Sequence, residues 1–167
     1  MFLRSLGIPA VVKAAAFTAA FSLAVIAQAQ QAGPFASLAG AWTGSGSLAL
    51  SVGANERIRC RAKYDVQPSG SKAKLELRCA SDSYKFELQS DILYQGGQVI
   101  GDWTETTRNV SGKVTGTVNI NQIDVSVQSA SFSALLSLTT SGDKQSISIQ
   151  APSGSEMSQA SILLNRS

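Results

Sequence analysis

From Glu56 to Ala80 the chain alternates polar and apolar residues with period two, breaks once, and alternates again. Ile58, Cys60, Ala62 and Tyr64 share one parity, while Arg57, Arg59, Arg61 and Lys63 share the other. That is the pattern of a strand with one buried and one wet face. After the turn signal Pro68-Ser69-Gly70-Ser71, the apolar parity resumes with Ala73, Leu75, Leu77 and Cys79. A hairpin symmetric about Ser69-Gly70 sets Tyr64 against Leu75, Ala62 against Leu77, and Cys60 against Cys79 on the buried face. The two cysteines are therefore placed for a cross-strand disulfide.

The same alternation continues along the chain. Leu38 to Leu50 reads as the first strand, and its Gly40-Ala41-Trp42-Thr43-Gly44-Ser45-Gly46 surrounds a tryptophan with small residues that permit sharp bending. Ser83 to Gln95 puts Tyr84, Phe86, Leu88, Ile92 and Tyr94 on one face, and Gly96-Gly97 is a two-residue hairpin signal. The returning strand, Gln98 to Arg108, would set Val99 against Tyr94, Gly101 against Ile92 and Trp103 against Ser90. Five more segments alternate or nearly so: Gly112 to Ile120, Ile123 to Val127, Ser131 to Thr139, Lys144 to Ala151 and Met157 to Arg166. No amphipathic helical period runs for three turns beyond residue 29. The expected fold is all-β, a single antiparallel up-and-down β-barrel of about 8–10 strands, since short hairpins favour a meander and closure removes exposed edges.

The N-terminus departs from this pattern. Met1 to Lys13 carries Arg4 and Lys13 without an acid, Ala14 to Ile26 is apolar, and Ala27-Gln28-Ala29 is a small-x-small cleavage signal. Residues 1–29 read as a secretory signal peptide cleaved near Ala29, and residues 30–167 as a single β-barrel domain. The apolar run is short for a membrane span, so none is expected after leader removal. Arg4 and Lys13 leave with the leader, which lowers the formal charge from +3 to about +1 and gives no indication of a nucleic-acid partner. Export and paired cysteines point to a periplasmic or secreted protein in an oxidising compartment.

An early Gly-Ala-Trp opening the first long strand, a meander of strands and an arginine ending the last one resemble the calycin superfamily of lipocalin-like barrels. The resemblance implies that Trp42 packs at a closed end of the barrel beneath Arg166. The fuller string Gly40 to Gly46 is similar to nitrobindin-like barrels, whose haem is held by a histidine. This chain has no histidine, so that site is not carried over. Over nearly the whole length after the leader the chain also resembles uncharacterised exported proteins of alphaproteobacteria, which implies the compartment and no activity.

Absence of histidine removes the usual catalytic triad and most zinc and haem sites. Ser69-Gly70-Ser71-Lys72 and Ser141-Gly142-Asp143-Lys144 match Ser-x-x-Lys, but both lie in turns instead of at the helix start that aims such a serine. No pair of carboxylates stands out, and no catalytic residue, metal or cofactor is expected. Two features remain. Arg57, Arg59, Arg61, Lys63 and Arg78 share the outer face of the opening hairpin, either as a solvated wall or as a surface for an anionic envelope partner. Inside, large side chains alternate with small ones, either filling the barrel or leaving a cavity with aromatic walls. The expected function is non-catalytic binding of a small apolar or amphipathic ligand, with Tyr84, Tyr94, Trp103 and Glu105 at the site. The alternative is a filled barrel acting through its basic face, as an envelope-interaction module or an inhibitor of a secreted protein.

Overall fold

The computed structural model describes residues 32–152 and 155–167. The expected signal peptide lies outside these residues. Ten antiparallel strands run in chain order: β1 (Gly40–Leu50), β2 (Asn55–Val66), β3 (Lys72–Ala80), β4 (Lys85–Gln95), β5 (Gln98–Glu105), β6 (Val110–Asn119), β7 (Gln122–Gln128), β8 (Ser133–Ser141), β9 (Lys144–Gln150) and β10 (Met157–Arg166). Each pairs with its neighbours in sequence, and β1 pairs with β10 to close an up-and-down barrel. Ten strands is two more than the lipocalin barrel has.

The opening hairpin takes the register its alternation dictates. Cys60 lies opposite Cys79, Ala62 opposite Leu77 and Tyr64 opposite Leu75. Cys60 and Cys79 are joined by a disulfide with their Cα atoms 4.2 Å apart. The glycine turn also behaves as its chemistry requires. Gly96 and Gly97 both have positive φ, 59° and 84°, and the flanking strands align Tyr94 with Val99, Ile92 with Gly101 and Ser90 with Trp103. In β1 the glycines serve close approach. A Cβ on Gly44 would stand 1.9 Å from the Leu163 carbonyl oxygen, so only glycine lets β1 meet β10 there.

Strand ends differ from the alternation by a few residues, for local reasons. Ala36–Leu38 forms a 3-10 turn, so β1 begins at Gly40 and not at Leu38. The Ser81 and Ser129 hydroxyls accept from the Tyr84 and Phe132 amides, making turns that delay β4 and β8. β5 stops at Glu105 and not at Arg108, because the Glu105 carboxylate gathers the amides of Thr107 and Arg108.

Most apolar side chains turn inward and most polar ones outward, although Leu135 and Leu163 are exposed and Gln145 is buried. No helix among the described residues is long and apolar enough to cross a membrane. The barrel's two ends are unlike. At the end where β1 begins, Gly33 and Phe35 donate backbone hydrogen bonds to Ser69 and Gly70, drawing the incoming chain across the β2–β3 turn. Phe35, Leu38 and Trp42 are thereby buried as a plug. The opposite end is framed by the loops that follow the odd-numbered strands, and among the described residues it has no such plug.

Candidate ligand-binding site

The interior is not completely filled. An outer cavity of about 90 Å³ is lined by residues including Leu77, Tyr84, Phe86, Trp103, Phe132 and Met157. A second, also about 90 Å³, lies toward the plugged end among Leu38, Tyr64, Leu75, Ile92, Val114 and Ile147. Leu77, Leu88, Trp103, Val127 and Leu136 line both, so the cavities are neighbours along one apolar core. Outside them, at the unplugged end, a groove of about 650 Å³ is bounded by Tyr84, Trp103, Arg108, Phe132, Glu156 and Met157. A larger concavity of about 710 Å³ lies elsewhere, on the outer wall across β2 to β6, where Lys74 pairs with Asp91 and Lys113 with Asp102 across the strands.

Trp103 is the residue common to the groove and both cavities. It is only 4% exposed, and its ring meets Phe132 edge-on at a centroid distance of 5.9 Å. Its indole Nε1 is buried with no hydrogen-bond acceptor among the described residues. Opposite it in β6 stands Gly112, where a Cβ would come within 2.8 Å of that nitrogen. Glycine there makes room for the indole edge.

Glu105 is buried at the same end, but its oxygens are already engaged. Oε1 accepts from the Glu87 amide at 2.9 Å, the Thr107 amide at 3.1 Å and the Thr107 hydroxyl at 2.5 Å. Oε2 accepts from the Arg108 amide at 2.7 Å. Burial pushes the carboxyl pKa up, and these hydrogen bonds together outweigh it and hold the group below its ordinary value. Glu105 therefore organises the β5–β6 turn, and its capacity to accept from a ligand is largely used.

Arg108, which parity did not single out, holds the groove together. Its guanidinium lies 4.7 Å from the Tyr84 ring centroid and donates to the Lys85 carbonyl at 3.1 Å and to Glu156 at 2.9 Å. It also approaches Glu105 at 3.8 Å. Tyr84 is half-buried, and burial raises its pKa against the opposing Arg108 charge. The signal available in the sequence was the string Glu105-Thr-Thr-Arg108-Asn109, an acceptor followed by donors and a residue tolerant of positive φ; Asn109 has φ 56°.

Tyr84, Trp103 and Glu105 are thus brought together, and Tyr94 is not. Tyr94 sits at the plugged end, its ring 6.4 Å from that of Phe35. Trp42 and Arg166 meet at that same end, with the guanidinium carbon 4.2 Å from the indole centroid. Arg57, Arg59, Arg61, Lys63 and Arg78 all point outward and are exposed, with Arg61 directly opposite Arg78.

No protein-family model matches the chain. No curated protein matches it either. Among solved structures, the crystal structure of Rv2717c from M. tuberculosis is similar, with a TM-score of 0.63 and 14% sequence identity. The match covers 79% of this chain and 94% of that one. At such identity the likeness is one of fold.

Proposed function

We propose that this is an exported, lipocalin-like carrier that binds a small amphipathic ligand through the unplugged end of the barrel and performs no chemistry on it. The observation that carries the reading is the pair of adjoining apolar cavities beneath an open groove, with Trp103 in the wall of all three. Protein interiors are packed so closely that few voids exceed a water molecule, and apolar voids of larger size stay dry and accept apolar groups. The unpartnered Trp103 N–H supports the same reading. A buried donor without an acceptor costs about 1–3 kcal/mol, which a polar atom of the ligand would offset. Charge at the groove argues for an uncharged head group: Arg108 is already matched by Glu156 and Glu105, so an added anion would face two carboxylates. The disulfide fits an oxidising compartment, as export would provide.

Native mass spectrometry of protein purified from its own compartment tests the proposal, together with titration by the neutral fluorophore N-phenyl-1-naphthylamine. A co-purifying small mass and saturable fluorescence are expected. Ala134 lines the outer cavity, so Ala134→Leu should fill it and weaken fluorophore binding while the melting temperature holds or rises. Fluorescence that never saturates, or that Ala134→Leu leaves unchanged, would exclude the interior as the binding place.

A further inference from the structure

The outer wall has its own asymmetry. Strands β8, β9, β10 and β1 contain no aspartate or glutamate, and their charges are confined to Lys144 and Arg166 at one end. Beside this acid-free wall, β2 presents Arg57, Arg59, Arg61 and Lys63 in sequence alternation, all exposed. Their partners on β1 are Ser47, Ser45, Thr43 and Ala41, small side chains that leave the cations uncovered. A strand advances about 3.4 Å per residue, so the four charges stand about 7 Å apart in a row about 20 Å long.

Most other cations of the described residues are paired, the exceptions being Lys72 and Lys144, each single at the start of its strand. Lys74, Arg78, Lys85, Arg108, Lys113 and Arg166 each have a carboxylate partner. Among the described residues, none of the four on β2 has a carboxylate within 4.0 Å. Glu56 has the opposite parity and is turned to the Ser83 hydroxyl and amide, while the acids nearest the row are Asp65, which continues it and faces Lys74, and Glu76, which lies across from Lys63. Arg61 also faces Arg78, and like charges directly opposed on a sheet are unfavourable until an anion lies between them.

We infer that this stripe, with the hydroxyl-rich wall of β1 and β10 beside it, binds a linear acidic polysaccharide. Three observations select that partner. Every aromatic side chain of the described residues is buried in the core or packed against it, and the two on β1 and β2, Trp42 and Tyr64, are buried, so the wall lacks the stacking platforms on which single-stranded nucleic acids rest. Barrel strands tilt by about 35–45° from the axis, so the row winds around a convex wall; a flexible chain can follow it, whereas a flat bilayer touches only part. Thr43, Ser45, Ser47 and Ser161 offer donors and acceptors suited to the hydroxyls between the charges of a sugar chain.

Affinity electrophoresis and calorimetry of the purified chain with polygalacturonate test this, with neutral dextran, vesicles of phosphatidylglycerol in phosphatidylcholine, and single-stranded oligothymidine for comparison. Polygalacturonate should be retained at low salt and released as salt rises, dextran should not be retained, and the other two anions should bind more weakly. Arg59→Ser with Arg61→Ser should lower polygalacturonate affinity by about tenfold or more at low salt and leave the melting temperature in place, since both side chains are exposed. Lys85→Ser with Lys113→Ser removes the same charge elsewhere and should have a much smaller effect. Equal losses in the two double variants, stronger binding to vesicles or oligothymidine, or no retention of polygalacturonate would each overturn the inference. Because this surface lies outside the barrel, fluorophore binding in the interior should be the same in all these variants.

Discussion

Arg166 lies across the face of Trp42 and ties the last strand to the chain that precedes the first. Its Nη2 donates to the Ser37 carbonyl at 2.8 Å, its Nη1 to the Ala39 carbonyl, and its Nε to Asp143 at 3.1 Å. Beneath it, the Trp42 indole N–H donates to the Leu38 carbonyl at 2.8 Å. Side chain and 3-10 turn therefore fix one another. Trp42→Ala should cost about 3–5 kcal/mol, because a buried aromatic group is lost and a cavity remains. Arg166→Ala should cost less, with about 0.5–2 kcal/mol from the cation–π contact. In a Trp103→Phe background it should also shift Trp42 emission. Truncation before Asn165 that alters neither melting temperature nor emission would show that this end is not held by Arg166.

The disulfide gives a second prediction. Cys60 and Cys79 are 19 residues apart in sequence. On the chain-entropy model a bridge closing a loop of that size contributes about 3 kcal/mol. Non-reducing peptide mapping should recover the two cysteines in one linked species. Replacing both by serine should lower the melting temperature, and a pair found as free thiols in exported protein would contradict the bridge.

Much of this architecture was legible because its causes are local. Period two set which face of β2 and β3 is buried, and Gly96-Gly97 fixed the register of β4 and β5 through turn geometry alone. The site was less legible. Parity placed Glu105 inward, as it is, but could not show that its partners would be the amides of its own turn. Tyr84 and Tyr94 share a face, and simple spacing could have separated them. Ten residues of extended chain span about 33 Å, enough to set the two rings toward opposite ends of the barrel. Arg108 was missed because it lies in a turn, where alternation carries no information.

A third prediction concerns the buried polar pair near the plugged end. Tyr64 donates to Gln145 Oε1 at 2.9 Å, and Gln145 Nε2 donates to the Thr140 hydroxyl at 3.3 Å, all three being buried. Burial raises the Tyr64 pKa strongly, so the phenol stays protonated and keeps its donor at any ordinary pH. Tyr64→Phe should cost about 1–3 kcal/mol by leaving the glutamine oxygen without a donor. Adding Gln145→Leu should recover part of that loss, because the stranded acceptor is removed. Strictly additive losses in the double variant, measured by urea unfolding, would mean the two side chains are not coupled.

Glu105 provides the pH dependence. The group is buried, and the amides of Glu87, Thr107 and Arg108 with the Thr107 hydroxyl favour its ionised form. Its folded pKa is therefore lower than the ordinary value of 4.5. A depressed carboxylate stabilises the folded state fully above the unfolded pKa, and the contribution is lost as pH falls through the folded pKa. Glu105→Gln keeps the shape but replaces one acceptor oxygen with an amide that donates. At neutral pH the variant should melt well below the parent. As pH falls below about 4.5, the parent should lose stability faster than the variant, so the gap narrows. The Thr107 and Arg108 amides supply a local readout: in the parent they should exchange slowly at neutral pH, and in the variant quickly. A gap in melting temperature that stays constant from pH 7 to pH 3 would show that the carboxylate's charge is not what holds the turn.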